Sequence, residues 1–261
     1  MKLYTKEKLI KEFQKIAKRG WIENTRKGNA GGVGNTLEDL LGIEENNLPI
    51  PNAAEWELKA QRINTSSLTT LFHIEPSPRA VKFVPQVLLL NYGWQHQEAG
   101  KKYPKNEMSF RQTIHGNSAS DRGFMVKIDR KNRKVLISFD HTKVAITHKN
   151  WLNKVKNRIG LSELNPQPYW GFDDLANKAG TKLLNCFYVQ AEVKKEDGRE
   201  FYKYSRVMML QKFSFSSFLQ ELENGNILVD FDARTGHNHG TKFRLRQNCF
   251  PNLYEKSTVI I

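Results

Sequence analysis

The segment that decides the fold is AEWELKAQR, residues 54–62, in which large apolar and charged side chains alternate. Such alternation is typical of a β-strand with one buried face. Residues i and i+2 of a strand project from the same face, so we expect Glu57 and Lys59 side by side. Trp56 and Leu58 would then anchor the opposite face in the core. The segment therefore predicts a strand that presents a carboxylate and an ammonium together.

A carboxylate beside an ammonium suits Mg²⁺-dependent hydrolysis of phosphodiesters. The carboxylate holds the hard cation, and the lysine orients the attacking water and offsets developing charge. The pattern alone has little specificity, because a second copy, Glu192-Val193-Lys194, also lies in a predicted strand. For either copy the alternative is an exposed cross-strand charge pair. The context favours the first copy, because further acidic residues precede it: Glu38, Glu44, Glu45 and Glu55.

Helices and strands are interspersed along the rest of the chain without a repeating period. A helix capped by Thr5 opens the chain, and a Gly-rich loop is expected over residues 26–36. The clearest hairpin is predicted over residues 122–140, and Ser216 or Ser217 is the expected N-cap of a later helix. The pattern predicts a mixed central β-sheet flanked by helices, in the α/β class.

The charge of the chain points to a polyanionic partner. Its 261 residues include 41 Lys and Arg against 27 Asp and Glu, a net charge of +14. The alternative is a basic protein without such a ligand. No apolar run is long enough to cross a bilayer, so no membrane partner is expected. Cys186 and Cys249 have no metal-binding spacing, and we expect a reduced, cytoplasmic protein.

A second polar segment, DARTGHNHGTKFR at residues 232–244, is dense in hydrogen-bonding groups. Arginine can pair bidentately with guanine and aspartate can accept from cytosine, so the segment suits reading of G·C pairs in the major groove. Two histidines could probe a central base pair. The alternative is an ordinary surface hairpin with an Asp232–Arg234 ion pair. The candidate DNA-binding residues are Asp232, Arg234, His237, His239, Lys242 and Arg244.

The active-site region carries a family resemblance. GVGNTLEDLLG, residues 32–42, followed by PNAAEWELK, residues 51–59, resembles the MutH-like branch of the PD-(D/E)xK nucleases. Within that branch it is most similar to the monomeric MvaI/BcnI restriction endonucleases. The likeness continues through residues 109–129 and 232–244, so it covers most of the chain.

The resemblance implies a Mg²⁺-dependent type II restriction endonuclease that cuts double-stranded DNA at a short pseudo-palindromic site of the CC-x-GG type. It implies a monomer that hydrolyses one strand at a time, with a DNA methyltransferase as its genetic partner. The implied fold is a single two-lobed domain, residues 1–261, around a DNA-binding cleft. Residues up to about 150 would contain the catalytic core, and residues from about 151 would contribute DNA recognition.

Carried over by position, Glu57 is a metal ligand, Lys59 is the catalytic lysine and Glu38 is an additional acid that also serves the metal. The alternative for Glu38 is a capping box with Asn35 as the N-cap. One position departs from the family pattern: Asn52 stands where the motif has an aspartate, and a neutral amide oxygen binds Mg²⁺ more weakly. Asn52 is an engineered inactivating change, a natural variant served by Glu38 or Glu55, or a sign of lost cleavage.

Three other functions remain open from the sequence. A MutH-type nicking enzyme shares the catalytic pattern but would leave lone nicks. A DNA-binding protein without hydrolysis is suggested by Asn52 itself. A ribonuclease or RNA-binding protein has the least support of the three, because the sequence contains no RNA-stacking signature.

Overall fold

The computed structural model describes residues 4–24, 26, 32–43, 56–63 and 68–261. The chain forms two compact units that interleave along the sequence. The first unit comprises Met1–Thr69, Lys178–Ser217 and Gln247–Ile261, and the second comprises Thr70–Asn177 and Phe218–Arg246. Both units therefore combine segments from before and after residue 150, and no boundary between them falls near that position. The predicted cleft between two lobes remains a prediction.

The first unit is built on a mixed sheet that has five strands within the described residues. The order is β1-β10-β9-β2, with β14 added on β10. Strand β2 pairs with β9 in parallel, and the other pairings of this sheet are antiparallel. The strands are β1 (Ile22–Glu23), β2 (Glu57–Arg62), β9 (Asn185–Glu196), β10 (Arg199–Phe213) and β14 (Tyr254–Val259).

Two helices cover one face of this sheet. Helix α1, Lys6–Lys18, begins after Thr5, whose side chain accepts a hydrogen bond from the Lys8 amide, as predicted. Helix α2, Gly32–Leu41, begins inside the stretch that was expected to be a loop, so that expectation is wrong for its second half. Asn35 is therefore an interior residue of α2 rather than its N-cap, and the capping-box alternative for Glu38 is wrong as well.

The second unit contains two sheets. Over the described part of the chain, one has the order β3-β13-β11-β5-β4 with β12 on β11, and the other has the order β6-β7-β8. The hairpin predicted over residues 122–140 is confirmed as β6 and β7. The strands are β3 (Leu68–His73), β4 (Trp94–Gln95), β5 (Met108–Ile114), β6 (Arg122–Asp129), β7 (Lys134–Val144), β8 (Tyr169–Gly171), β11 (Ile227–Arg234), β12 (His237–Asn238) and β13 (Lys242–Arg246).

The remaining helices are short. They are α3 (Leu89–Tyr92), which follows a π-helical turn, α4 (Lys149–Ile159), α5 (Phe172–Leu183) and α6 (Phe215–Glu223). The N-cap predicted for α6 is wrong by a few residues, because the helix already begins at Phe215 and the Ser214 hydroxyl accepts from the Ser217 amide at 3.2 Å. The mixed α/β class is confirmed. No helix in the described ranges is long and apolar enough to cross a membrane.

Candidate active site

Strand β2 brings Glu57 and Lys59 together as the alternating pattern predicts. Lys59 Nζ lies 2.7 Å from Glu57 Oε1, and the two side chains are only 19% and 4% exposed. A charge pair with this little solvent is desolvated and therefore costly unless its geometry is good or a further ligand compensates it. The pair is thus set apart from an ordinary surface ion pair.

The opposite face of β2 anchors the pair in a hydrophobic core. Trp56 and Leu58 are buried in one cluster with Leu37 of α2 and Phe13 of α1. The Trp56 ring lies 4.6 Å from the ring of Phe187 on the neighbouring strand. Because side chains of one strand alternate between faces, this packing fixes the direction in which Glu57 and Lys59 point.

One oxygen of Glu57 is available to a further ligand. Glu57 Oε2 is buried and has no hydrogen-bond partner among the described residues. A buried carboxylate oxygen without a donor is unfavourable, and a hard cation is the kind of ligand that such an oxygen prefers. Glu57 is therefore a described residue that could contribute an oxygen ligand to a divalent metal at this point of the strand.

Two buried groups near Glu57, the Cys186 thiol and the Tyr254 hydroxyl, are protonated and uncharged. Cys186 lies opposite Glu57 in the parallel register of β2 and β9. Burial raises the pKa of the Cys186 thiol, with Glu57 adding to the rise and Lys59 opposing it. Burial also raises the pKa of the nearby Tyr254 hydroxyl, and Cys186 and Glu57 both add to this rise. Neither group brings a second negative charge to the site at neutral pH.

The second Glu-x-Lys copy has a different environment. Glu192 pairs across the strands with Lys203 at 3.3 Å, with side chains 42% and 41% exposed. Lys194 pairs with Glu196 instead, and both are exposed. This copy is the exposed cross-strand arrangement that was the alternative for either motif.

The other predicted metal-site residues are only partly described. Glu38 lies on α2, whose apolar residues pack in the same cluster as Leu58. Asn52 and Glu55 lie outside the described residues, as do Glu44 and Glu45. Within the described ranges no three His, Cys, Asp or Glu residues form a group that could hold a metal ion. Glu38 and Asn52 as metal ligands therefore remain predictions.

Five of the candidate DNA-binding residues lie on β11, β12 and β13 of the second unit, and His239 lies between β12 and β13. Asp232 and Arg234 project from the same face of β11, as i and i+2 positions of a strand do. Lys242 lies opposite Asp230 in the register of β11 and β13, and Arg244 Nη1 lies 3.3 Å from Asp230 Oδ2. Cross-strand partners share a face, so these side chains belong to one polar face of the sheet.

The alternative for this segment, a surface hairpin with an Asp232–Arg234 ion pair, is wrong only in the ion pair, because β11 and β12 do form a hairpin. Asp232 lies 3.7 Å from Arg111 Nε, and Arg234 Nη1 lies 3.1 Å from Glu107 Oε1. Arg111 is opposite Asp232 in the register of β5 and β11 and has a side chain that is 75% exposed. Sequence reasoning missed Arg111 and Glu107, although the alternation of β5 could have placed Arg111 on the polar side of its strand.

The two predicted histidines lie beyond β11, where His237 is the first residue of β12 and His239 directly follows that strand. The rings of His237 and His239 lie 4.2 Å apart in an edge-to-face arrangement, and both residues are exposed. The His239 amide donates to the Asp232 carbonyl at 2.9 Å, which ties the loop back to the strand. Six predicted residues are therefore brought to one sheet and its adjoining loop.

Comparisons with known proteins identify the family of the chain. The sequence model of the MvaI/BcnI restriction endonuclease family matches residues 10–254. The structure titled "Restriction endonuclease MvaI-cognate DNA substrate complex" is 27% identical, with a TM-score of 0.75 and 97% of each chain covered. That of "Restriction endonuclease MvaI in the absence of DNA" is 26% identical, with a TM-score of 0.57 and full coverage of both chains. Comparison with curated proteins gave no match. The chain belongs to the MvaI/BcnI restriction endonuclease family.

Proposed function

We propose that this restriction endonuclease is a Mg²⁺-dependent type II enzyme that hydrolyses double-stranded DNA at a short pseudo-palindromic site of the CC-x-GG type. In this proposal it acts as a monomer on one strand at a time, and a cognate DNA methyltransferase is its genetic partner. The observation that carries the proposal is the buried Glu57–Lys59 pair, with one carboxylate oxygen left without a partner in the described chain.

Each residue of the site has a specific task in this proposal. Glu57 would hold the metal ion together with Asn52 and Glu38. When bound, the ion supplies Lewis-acid polarisation of the scissile phosphate. Lys59 orients the attacking water and stabilises the negative charge that develops on the phosphate oxygens. The low exposure of Lys59 strengthens this effect, because charges interact more strongly where solvent is excluded.

Sequence recognition is assigned to the polar face and loop of the second unit. Arg234 would pair with a guanine and Asp232 would accept from a cytosine amino group, while His237 and His239 would probe the central base pair. Lys242 and Arg244 would contact the same site from β13. The net charge of +14 supplies the attraction to the phosphate backbone that any such protein needs.

The decisive test compares the two Glu-x-Lys copies. Lys59→Ala should abolish Mg²⁺-dependent cleavage of an unmethylated plasmid while leaving DNA binding in EDTA within about twofold of wild type. Lys194→Ala is the matched control, because Lys194 has the same motif position but is exposed. Unchanged cleavage by the Lys59→Ala variant would refute the assignment.

The role of Asn52 is tested by restoring the aspartate of the family motif. Asn52→Asp should raise Mg²⁺-dependent cleavage, because a carboxylate binds the cation more strongly than an amide oxygen does. The ends of the products should then be mapped. Defined double-strand breaks support the restriction enzyme, whereas lone nicks would indicate a MutH-type enzyme. Tight binding without hydrolysis in both forms would indicate a protein that only binds DNA.

A further inference from the structure

The side chain of Arg234 is held on two sides by residues from another part of the chain. Arg234 Nη1 donates to Glu107 Oε1 at 3.1 Å, and the guanidinium carbon lies 4.7 Å from the centre of the Tyr103 ring. The Glu107 side chain is only 6% exposed, whereas the Arg234 side chain is 32% exposed. We call Tyr103 and Glu107 the Arg234 socket.

The backbone around the socket is tied to the end of β11. The Met108 amide donates to Thr235 Oγ1 at 3.0 Å, and the Thr235 amide donates to the Met108 carbonyl at 3.1 Å. The Tyr103 ring is itself in edge-to-face contact with His96, at 4.8 Å between centroids. The segment that carries Glu107 is therefore hydrogen-bonded to the turn that follows Arg234, next to the contacts that Glu107 and Tyr103 make with the guanidinium.

One edge of the guanidinium is left open by this arrangement. The hydrogen bonds of Arg234 to Glu107 and to the Thr235 carbonyl both use Nη1. Across the described chain, Nε and Nη2 donate to no other group. Nε and Nη2 form a planar fork of two parallel donors, which is the geometry that pairs with the O6 and N7 acceptors of guanine.

The Glu107–Arg234 pair joins a buried carboxylate to a half-exposed arginine. Such pairs often add little to the free energy of unfolding compared with apolar residues of similar size, so the pair is weak evidence for a stabilising role. Its clearer effect is geometric, because it removes the rotational freedom of a long side chain before any ligand binds. Two other arginines of this sheet are held differently from Arg234. Arg244 pairs with Asp230 on its own sheet face, and Arg111 has a side chain that is largely exposed.

We infer that Glu107 and Tyr103 are positioning residues for base recognition, which orient Arg234 so that its Nε–Nη2 edge meets a guanine of the DNA site. The inference rests on the proposed function, and it assigns the discrimination at one G·C pair to the socket rather than to Arg234 alone. Removal of the socket should therefore weaken discrimination at that base pair without changing the general attraction to DNA.

The test is equilibrium binding in EDTA to a short duplex that carries CC-x-GG and to duplexes in which each G·C pair in turn is replaced by A·T. Glu107→Ala and Tyr103→Leu should each lower the discrimination at one G·C pair about tenfold. For both variants, the affinity for DNA should depend on salt concentration as it does for the wild type. Tyr103→Phe keeps the ring and should retain wild-type discrimination.

The ratio of two dissociation constants separates positioning from folding, because a misfolded fraction lowers binding to every duplex equally. Glu223→Ala is the matched control: it removes an exposed partner of Arg130 in the same unit, 2.8 Å away. Unchanged discrimination in both Glu107→Ala and Tyr103→Leu overturns the inference. A wild-type protein that fails to discriminate CC-x-GG from any substituted duplex refutes the proposed recognition itself, and the inference with it.

Discussion

At the scale of single residues, burial rather than motif separates the two Glu-x-Lys copies. Both lie on strands and both follow the same spacing, yet only Glu57 is desolvated and carries a buried oxygen without a partner in the described residues. The pair in β9 is solvated and compensated by neighbouring charges. The chemistry proposed for Lys59 depends on that environment, which sequence spacing alone does not encode.

The protonation of Cys186 gives a prediction at this scale. Because burial and the neighbouring Glu57 raise the pKa of its thiol, Cys186 should stay protonated in the native protein well above the ordinary thiol pKa of about 8.5. Only the thiolate is nucleophilic, so we expect iodoacetamide to leave Cys186 unmodified in native protein at pH 8 and to modify it after denaturation. Mass spectrometry of the digested protein measures this. Rapid modification in the native state would contradict the burial of Cys186.

At the scale of elements, strands were predictable and the start of α2 was not. The alternating pattern placed Glu57 and Lys59 correctly because a strand face depends only on local periodicity. Helix α2 begins at Gly32, where glycines suggested a loop, because the helix is specified by distant partners. An added Cβ at Gly32 would collide with the Tyr202 hydroxyl and the Asn24 side chain. Similarly, the contact of Arg234 with Glu107 joins residues that are remote in sequence.

Two glycines of α2 should respond oppositely to alanine. Gly34 has open space around its Cα, so Gly34→Ala should raise the free energy of unfolding by about 0.5–1 kcal/mol through helix propensity. Gly32→Ala should lower it by about 1–3 kcal/mol, because Tyr202 is fully buried and is held by hydrogen bonds with Asn24 and Glu200. Urea denaturation of both variants measures the difference. Stabilisation by both substitutions would contradict the close packing at Gly32.

At the scale of the whole molecule, the proposed function separates two contributions to DNA binding. The net charge of +14 would supply general affinity, and the sheet that contains β11 and β13 would supply specificity. Basic side chains that neutralise phosphates release counterions, which makes binding weaken as salt rises for any duplex. Base contacts add little to this dependence.

Salt should therefore affect cognate and substituted duplexes in the same direction. Between about 50 and 200 mM KCl, we expect the affinity for both to fall by about 10³-fold or more if six or more phosphates are contacted. Anisotropy titrations at several salt concentrations give the slope. An affinity that stays constant across this range would argue against a broad electrostatic footprint.

The interleaving of the two units limits how this protein could be divided or recombined. The chain passes from one unit to the other four times, at residues 69–70, 177–178, 217–218 and 246–247. A gene cut near codon 150 would leave both fragments with incomplete cores. Under the proposed function, an exchange of sequence specificity between relatives would likewise have to replace two separate stretches, residues 70–177 and 218–246, rather than one contiguous segment.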